Sequence, residues 1–425
     1  MKDSLNIWTI YQFASTPDIP GSERTYQFAK AFAGKGNKVT LWTSSYSHWG
    51  KTEAIHDNRP YITQNEGNLN IVRLKTKPLY RKNDHKRFLN MIYYAYALSK
   101  HSNDIAKPDV IIASYPSPFA AVVAYRLSVK FRAKFILEIR DLWPQVWIEK
   151  KAYSRYHPFI LILSAMEKFL YSKTRYFVTV LPYAGEYLNE RGAHPDKIAW
   201  IPNGVNLSEF KAWEKQDIEH EGANAIIDAM NREKEKGKFI VIYLGGLGVG
   251  NRVDHIVHSA KILKDQGERD ISFFIVGEGH SKDDLIQYVS DNGLHSVNIM
   301  SAIPRVAVPK VLRKADVGVL CLSDNPIYRY GVNLHKIYDY MAAALPIVFS
   351  AKVRNNLVDI ASAGFTVPPG DPAQIAHALI QLKSMPENER ITLGQKGYLY
   401  MADNLDINNQ LCRNYLELIQ DNGHS

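Results

Sequence analysis

Short apolar runs alternate with amphipathic stretches along the first half of the chain. Residues 25–34 and 119–131 have the spacing of helices, and the first of these ends at Gly34, where a glycine commonly stops a helix. The apolar runs predict buried β-strands at residues 5–11, 38–43, 110–114, 134–139 and 176–180. Buried strands joined by helices predict an open, mainly parallel α/β sheet.

The same alternation is repeated in the second half. Residues 197–206 end a strand in a turn, and the charge-dense segment 208–238 follows without clear strand periodicity. A helix is predicted at residues 253–266, and strand patterns occur at residues 239–244, 271–276, 297–303, 315–322 and 346–350. We therefore predict an α/β fold of two doubly wound, Rossmann-like domains, residues 1–207 and 208–404, which face each other across a cleft. In such sheets, ligands bind at the carboxyl ends of the strands.

Residues 330–350, YGVNLHKIYDYMAAALPIVFS, have the chemistry of a diphosphate site. A turn at residues 331–333 leads into a predicted helix at residues 334–344. Free N–H groups at a helix start attract phosphate, and Lys336 adds a positive charge nearby. Asp339 follows on a neighbouring face of the helix, and a carboxylate suits a ribose diol. An ordinary helix with exposed Lys and Asp side chains is the alternative.

Two glycine-rich turns follow predicted strands of the second domain. They read GGLGVG at residues 245–250 and GEG at residues 277–279. A glycine turn between a strand and a helix lets phosphate approach backbone amides. Tight turns without a ligand give the same pattern. Neither turn matches a P-loop, and no dinucleotide-binding fingerprint with its ribose acid is present.

Composition places the chain among globular proteins. With 425 residues, 46% hydrophobic and 22% charged, it is long enough for two or three domains. The longest apolar run, near residues 158–166, is much shorter than a bilayer span, and no signal-peptide pattern is visible. Cys321 and Cys412 lack metal-ligand spacing, so we expect free thiols in a reducing compartment.

Charge is distributed unevenly between the two halves. Residues 1–205 hold 29 Lys and Arg against 16 Asp and Glu, a net charge of +13, whereas the remainder holds 23 against 27, a net charge of −4. A basic half suggests an anionic partner for that half. A membrane surface, a lipid diphosphate and a nucleic acid are the candidates, but no nucleic-acid-binding motif accompanies the basic residues.

Six motifs in a fixed order resemble family 4 retaining glycosyltransferases of the GT-B fold. They are PNGV at 202–205, YLGGLG at 243–248, VGEG at 276–279, the Ile303–Pro304 turn, KADVGVL at 314–320 and KIYDYMAAALPIV at 336–348. RDLWPQ at 140–145 is similar to the bacterial surface-polysaccharide subgroup that includes N-acetylfucosamine transferases. The resemblance covers essentially the whole chain. It implies that the last helix, within residues 405–425, packs back on the first domain.

The resemblance implies that the second domain binds a nucleoside-diphosphate sugar. Lys336 would supply charge, Asn333 and Leu334 would offer backbone amides to the phosphates, and Asp339 would bind ribose. Glu278 and the Ile303–Pro304 turn would border the base, and a loop at residues 20–24 would close over the diphosphate and the sugar. The remaining predicted donor-site residues are Pro20, Gly21, Arg24, Gly246, Gly248 and Gly331.

The chain departs from the family pattern at several of these positions. The family pattern has two acidic residues separated by seven others, and Gly331 stands at the position of the first acid. The contact of that acid with the donor sugar is therefore missing or comes from elsewhere. Gly246 and Asn251 replace two cations that usually hold the diphosphate. Arg252, Lys336 or Arg24 could compensate for them.

Catalysis is expected to depend on charge stabilisation and positioning. Breaking the anomeric C–O bond leaves negative charge on the diphosphate, which cations and amides stabilise, so Lys336 and Arg252 are predicted catalytic residues. Asp141 is the third predicted catalytic residue and is expected near the acceptor, with an N-cap or an ion pair with Arg140 as the alternative. Arg140, where the family often has histidine, and Trp143 are predicted to bind acceptor. No DxD motif occurs where a metal would bind, so neither a metal nor another cofactor is expected.

Two basic and aromatic stretches of the first domain suit the headgroup region of an anionic membrane. Residues 78–101 contain Arg81, Lys82, Lys86, Arg87 and Lys100 among apolar side chains. Residues 150–176 carry further Lys and Arg residues around PFILILSAM. Core-facing helices with solvated charges are the alternative.

The resemblance therefore implies a metal-independent, retaining glycosyltransferase. It would move a sugar, N-acetylated in the resembled subgroup, from a UDP donor to a polyprenyl-diphosphate-linked glycan of bacterial O-antigen, capsule or exopolysaccharide. It would be cytoplasmic and peripheral on the inner face of the cytoplasmic membrane. Two alternatives stay open: a sugar-nucleotide 2-epimerase or hydrolase on the same scaffold, and a non-catalytic sugar-nucleotide-binding partner. The sequence does not determine the oligomeric state.

Overall fold

The chain folds into two α/β units. The computed structural model describes residues 4–16, 23–82, 84–149, 151–217 and 219–421. The N-terminal unit comprises residues 1–203 and 407–425, and the C-terminal unit comprises residues 204–406. Within the described ranges, every helix is too short or too polar to cross a membrane.

The N-terminal unit is built on an eight-stranded sheet in its described part. The strands are β1 (Asn6–Ile10), β2 (Lys38–Ser44), β3 (Tyr61–Glu66), β4 (Leu69–Leu74), β5 (Val110–Tyr115), β6 (Lys134–Ile139), β7 (Tyr176–Thr179) and β8 (Lys197–Trp200). The helices are α1 (Arg24–Gly34), α2 (His85–His101), α3 (Pro118–Phe131), α4 (Gln145–Glu149), α5 (Pro158–Lys173) and α6 (Ala184–Glu190).

The strand order of this sheet is β3-β4-β2-β1-β5-β6-β7-β8, and only the β3–β4 pair is antiparallel. The chain leaves β1 toward β2 on one side and later reaches β5 on the other side, so the direction of winding changes between β1 and β5. Right-handed crossovers in opposite directions put their helices on opposite faces. Accordingly α3 packs with α2 and α5 on the face opposite α1.

The end of the chain completes the core of the N-terminal unit. A π-helical turn at Ile407–Leu411 leads into a helix at Cys412–Gln420, which packs against α1. Tyr415 of this last helix lies edge-on to Phe32, with the ring centroids 5.2 Å apart. Leu411 and Leu418 are buried beside it. The segment therefore covers apolar side chains of α1 that would otherwise face solvent.

The C-terminal unit is built on a six-stranded parallel sheet in its described part, in the order β11-β10-β9-β12-β13-β14. The strands are β9 (Phe239–Leu244), β10 (Ile271–Val276), β11 (Val297–Met300), β12 (Val317–Cys321), β13 (Ile347–Ser350) and β14 (Gly364–Val367). The helices are α7 (Leu207–Lys215), α8 (Glu221–Glu235), α9 (Val253–Asp265), α10 (Lys282–Asp291), α11 (Val308–Leu312), α12 (His335–Ala342), α13 (Leu357–Ile360), α14 (Pro372–Ser384) and α15 (Glu387–Asn404). The helix at Cys412–Gln420, which belongs to the N-terminal unit, is α16.

The structure confirms the strands predicted from apolar runs to within two residues at each end, except that β11 ends at Met300, three residues before the predicted end. It adds a hairpin, β3 and β4, and β14 of the C-terminal sheet, none of which the sequence pattern predicted. β3 is the edge strand, and all of its residues are at least partly exposed, so its sequence YITQNE lacks the apolar signal of a buried strand. The segment 208–238, for which no strand was predicted, contains α7 and α8.

A buried carboxyl group in the N-terminal unit makes its stability depend on pH. Burial raises the pKa of Glu167 on α5 from 4.5 to about 7, although the hydroxyl of Tyr187 donates a hydrogen bond to it at 2.7 Å. The pKa of Glu167 is higher in the folded state than in the unfolded state. Its contribution to the free energy of unfolding is therefore complete below pH 4.5 and is lost as the pH rises through about 7. The shift corresponds to about 3 kcal/mol.

We expect Glu167→Gln to abolish this pH dependence, because the amide accepts the same hydrogen bond and never becomes charged. Urea denaturation at pH 5 and pH 8 measures the difference. The wild-type protein should lose up to about 3 kcal/mol of unfolding free energy between the two values, and the variant should not. Exposed Glu235 in the other unit provides the control Glu235→Gln. An unchanged pH profile in Glu167→Gln would contradict the assignment.

Candidate functional site

The winding of the C-terminal sheet changes direction between β9 and β12, and these strands separate at their carboxyl ends. They pair only where Val241 and Ile242 meet Val317 and Gly318. Beyond that point the ring of Tyr340 from α12 lies against Gly318, where a side chain would overlap with it. The hydroxyl of Tyr340 accepts a hydrogen bond from Leu244 N–H at 2.9 Å, which holds the end of β9 open. Sheets of this kind bind ligands at such a point.

Lys336 of α12 reaches into this opening. Its ammonium group donates to Oδ1 of Asn251 at 2.9 Å and lies 5.3 Å from the centroid of the Tyr243 ring. The side chain passes over Gly245, where an added Cβ would overlap with its Cε and Cδ. Gly245 also has φ of +153°, which disfavours other residues. The first glycine of GGLG is therefore needed to admit the lysine.

The two glycine turns pack against each other. Leu247 N–H donates to the carbonyl of Glu278 at 2.8 Å, and Ser281 N–H donates to the carbonyl of Leu247 at 3.1 Å. A Cβ on Gly277 or Gly279 would overlap with the backbone of the other turn. The GEG glycines are thus explained by turn packing, which was the alternative to direct phosphate contact.

The surroundings of Lys336 make its charge sensitive to a ligand. Burial lowers its pKa from 10.5 to about 8. A diphosphate beside the ammonium group would stabilise the charged form and raise the pKa again. Lys336 is still mainly protonated at pH 7, so it can supply the cation that a diphosphate needs.

The turn before α12 is fixed by a buried side chain. Asn355 accepts from Val332 N–H and donates to the Val332 carbonyl, each at 2.8 Å, in the manner of a paired strand. Gly331 has φ of +96°, which explains a glycine at the position of the missing acid. Among the described residues, Leu334 N–H has no hydrogen-bond partner. The side-chain oxygen of Asn333 accepts from the Tyr338 hydroxyl at 2.6 Å.

Asp339, the predicted ribose ligand, is already bound to a cation. Arg305, in the 3₁₀ turn Arg305–Ala307 after β11, donates to both carboxylate oxygens of Asp339, one of them at 2.5 Å. The carboxylate is buried, whereas the Arg305 side chain is about one third exposed. A ribose at this position would therefore meet the guanidinium of Arg305 as well as the carboxylate. One sequence signal could have pointed to Arg305, its place directly after the Ile303–Pro304 turn.

Other predicted residues of the site, the catalytic candidate Arg252 among them, have contacts within the turns. Arg252 forms a bidentate pair with Asp254, at 3.0 and 2.7 Å, so most of its charge is neutralised by a neighbour. The carbonyl of Gly246 accepts from Tyr243 and Asn251, and Gly248 precedes the 3₁₀ turn Val249–Asn251. The Glu278 carboxylate accepts from Lys282 at 2.7 Å. Ile303 and Pro304 lead into the turn that carries Arg305.

Arg24, predicted to contact the donor, has its observed partners inside the N-terminal unit. Its side chain is fully buried in the N-terminal unit and lies 2.8 Å from Glu138 of β6. It also donates to the carbonyls of Ile201, at 2.7 Å, and Pro202. Burial acts to raise the pKa of Glu138, but Arg24 and Arg140 outweigh it and hold the pKa below its ordinary value. Arg24 is a structural cation that ties β6 to the chain after β8.

The predicted acceptor residues lie at the carboxyl end of β6. The Arg140 guanidinium lies 4.5 Å from the Tyr11 ring centroid and donates to Thr25 at 3.2 Å. Asp141 accepts from Leu142 N–H at 2.9 Å, and its catalytic role stays a prediction. Trp143 is 5% exposed and its ring centroid is 4.1 Å from that of Trp147. Pro20 and Gly21 lie outside the described residues.

Comparison with known proteins supports the fold and the class. The model for Glycosyltransferase Family 4 matches residues 21–209, and the model for Glycosyl transferases group 1 matches residues 238–384. No curated protein sequence matches the chain. Within the described residues, no three His, Cys, Asp or Glu side chains are grouped as metal ligands would be.

Solved structures match over nearly the whole chain. Sucrose-phosphate synthase from Thermosynechococcus elongatus is 18% identical, with a TM-score of 0.72 over 97% of this chain and 99% of that one. The Anabaena protein HepE, solved with UDP-glucose, is 14% identical, with a TM-score of 0.65 over 97% and 99%. WaaG, a glycosyltransferase involved in lipopolysaccharide biosynthesis, is 14% identical, with a TM-score of 0.67 over 97% and 99%.

Two parallel-dominated α/β sheets that match these structures define the GT-B fold. The chain is a glycosyltransferase, in which a family 4 domain precedes a group 1 domain.

Proposed function

We propose that the protein is a retaining glycosyltransferase that moves a sugar from a UDP-sugar to a polyprenyl-diphosphate-linked glycan in bacterial surface-polysaccharide synthesis. The observation that carries the proposal is Lys336, which reaches over Gly245 into the opening between β9 and β12. The RDLWPQ motif at 140–145 favours the subgroup that includes N-acetylfucosamine transferases, and hence an N-acetylated donor sugar.

The chemistry asks for stabilisation of the leaving diphosphate. As the anomeric C–O bond breaks, negative charge grows on the diphosphate, and a fixed cation in a low-dielectric pocket stabilises it strongly. Lys336 supplies that cation, and Leu334 N–H is a backbone donor at the start of α12. Retention follows from attack on the same face as the leaving phosphate, which needs positioning and no protein nucleophile. No metal or other cofactor is required for this route.

UDP is the proposed nucleotide, because HepE, a structural neighbour, was solved with UDP-glucose and with UDP. A role in surface-polysaccharide synthesis is consistent with the likeness to WaaG. Arg305, held by Asp339, is proposed to contact the ribose together with that carboxylate.

The lipid-linked acceptor requires access to a membrane, and the N-terminal unit has a suitable surface. The exposed face of α2 carries Lys86 and Lys100 around four exposed apolar or aromatic side chains, Leu89, Ile92, Tyr93 and Tyr96. Leu161 and Ile162 of α5 are also exposed. α2 and α5 meet where the rings of Phe88 and Phe159 lie 4.3 Å apart. We propose that this basic and apolar surface lies on the inner face of the cytoplasmic membrane.

One residue of the predicted basic stretch does not belong to that surface. The Arg87 guanidinium lies over the rings of Phe13 and Trp143, at 5.3 and 5.5 Å from their centroids. Burial lowers the pKa of Arg87. Arg87 therefore packs inside the unit at the carboxyl ends of the strands.

A donor panel tests the proposal. We expect UDP to raise the thermal denaturation midpoint more than GDP, ADP or dTDP, and UDP release from a UDP-N-acetyl sugar to require a polyprenyl-diphosphate-linked acceptor. Sugar turnover without acceptor would favour the 2-epimerase or hydrolase instead. A thermal shift with no turnover in the presence of bacterial lipid-linked glycans would favour the non-catalytic binding partner. No shift with any nucleotide would contradict the site.

A further inference from the structure

A small basic pocket lies on the N-terminal unit, between the start of β3, the end of β4 and the carboxyl end of α2. It has a volume of about 160 Å³. Four cationic side chains line it and no carboxylate does, and the cations are Arg59, Lys75, Lys77 and Lys100. We propose that this pocket binds the phosphate of an anionic phospholipid headgroup. The inference rests on the proposed membrane contact and names the lipid chemistry that it recognises.

The charges in this pocket are incompletely neutralised by the protein. Arg59 is paired with Asp57 at 2.7 Å. Lys75 donates to the backbone carbonyl of Asp57, whose single carboxylate therefore lies near two of the four cations, Arg59 and Lys75. Lys77 and Lys100 have no hydrogen-bond or ion-pair partner among the described residues. Lysines gathered around one small depression repel each other, and a phosphate group would turn that repulsion into attraction.

Two tyrosines connect the pocket to the proposed membrane surface. Tyr93 and Tyr96 line the pocket and also belong to the exposed face of α2, where their ring centroids are 6.0 Å apart. Tyrosine favours the boundary between apolar chains and headgroups, because its ring is apolar and its hydroxyl is polar. With Leu89 and Ile92 exposed on the same face, the phosphate in the pocket would lie at headgroup level.

The size of the pocket fits a single phosphate group better than an extended polyanion. The volume of about 160 Å³ accommodates one phosphodiester and part of its headgroup. A nucleic acid would need a track of cations and stacking partners along successive nucleotides. The exposed side chains beside this pocket are instead aliphatic and aromatic residues on one helix face, which suits lipid.

The test uses the full-length protein and the double variant Lys77→Ser/Lys100→Ser. Sedimentation with phosphatidylcholine vesicles that contain about one third phosphatidylglycerol measures the affinity. Each lysine near an anionic surface contributes roughly fivefold in affinity, so we expect the double variant to bind at least about tenfold more weakly. The matched control is Lys35→Ser/Lys38→Ser, which removes two exposed lysines at the end of α1 and the start of β2. The control should bind nearly as well as the wild type.

Equal losses in the two double variants would overturn the proposal, because they would indicate that net charge alone matters. Undiminished binding of Lys77→Ser/Lys100→Ser would also overturn it. If inorganic phosphate competed for the pocket while the variants bound vesicles equally well, the pocket would be assigned to a free anion. Transfer to a soluble, short-chain acceptor should be the same in wild type and variant. Failure of glycosyl transfer in both proteins would therefore contradict the proposed function without affecting the vesicle result.

Discussion

Replacing Lys336 with Met is expected to lower kcat/KM for sugar transfer by about 100- to 1000-fold, the size of effect seen when one fixed stabilising group is removed from a developing anion. Met keeps most of the side-chain length over Gly245 and removes the charge. Initial rates with UDP-sugar and acceptor measure the change, and UDP titration calorimetry measures the ground-state part of it. The thermal denaturation midpoint of the free protein should not fall, because a buried cation with a lowered pKa is itself costly.

The lowered pKa of Lys336 also predicts that UDP affinity falls as the pH rises. In the free protein its pKa of about 8 means that the charge is lost as the pH rises above that value. UDP affinity should then fall by up to about tenfold for each pH unit above 8. Lys336→Arg is the matched control, because arginine stays charged throughout this range and should give a flatter profile. Wild-type transfer rates in Lys336→Met, or parallel pH profiles in wild type and Lys336→Arg, would remove Lys336 from the site.

Replacing Arg24 with Met should destabilise the N-terminal unit by about 3–5 kcal/mol. The change leaves Glu138 buried without its main cation, and breaking one partner of a buried ion pair is costly. It also leaves the carbonyls of Ile201 and Pro202 without the guanidinium that now donates to them. Urea denaturation followed by tryptophan fluorescence suits the measurement, because six of the seven tryptophans lie in this unit.

A double-mutant cycle separates the ion pair from the loss of packing. Arg24→Met/Glu138→Gln should recover a substantial part of the stability lost in Arg24→Met, because no uncompensated charge remains. Additive losses in the cycle would show that the pair contributes no coupling. If Arg24→Met folded with wild-type stability but bound UDP weakly, the donor-site role predicted from the sequence would be favoured over the structural one.

Much of the fold could be predicted from the sequence, because buried parallel strands require nearly continuous apolar runs. β6 and β10 have such runs and were predicted correctly. β3 was missed because an edge strand needs no apolar face, and its pairing with β4 depends on a neighbouring strand. α8 was missed because its buried positions Ala223, Ile226 and Met230 are diluted by charged residues on the other faces.

The candidate site was predicted less completely, since residue type does not reveal what a side chain contacts. Lys336 and the glycine turn were both singled out, but only the structure shows that Gly245 is needed for the lysine to pass. Arg24 and Arg252 were selected for their charge, and the structure shows that carboxylates already bind both. Arg305 and Asn355 are distant in sequence from the residues they hold, so no spacing rule could connect them.

The sequence by itself determined the two α/β units, the order of the six motifs and the basic character of the first half. These properties depend on local apolar periodicity and on composition, which need no knowledge of long-range contacts. Only the tertiary structure decided which cations are available to a ligand, which glycines serve packing, and which exposed side chains form a continuous surface. Those outcomes depend on side chains far apart in sequence sharing one small volume, where burial and pairing decide whether a charge remains free to bind.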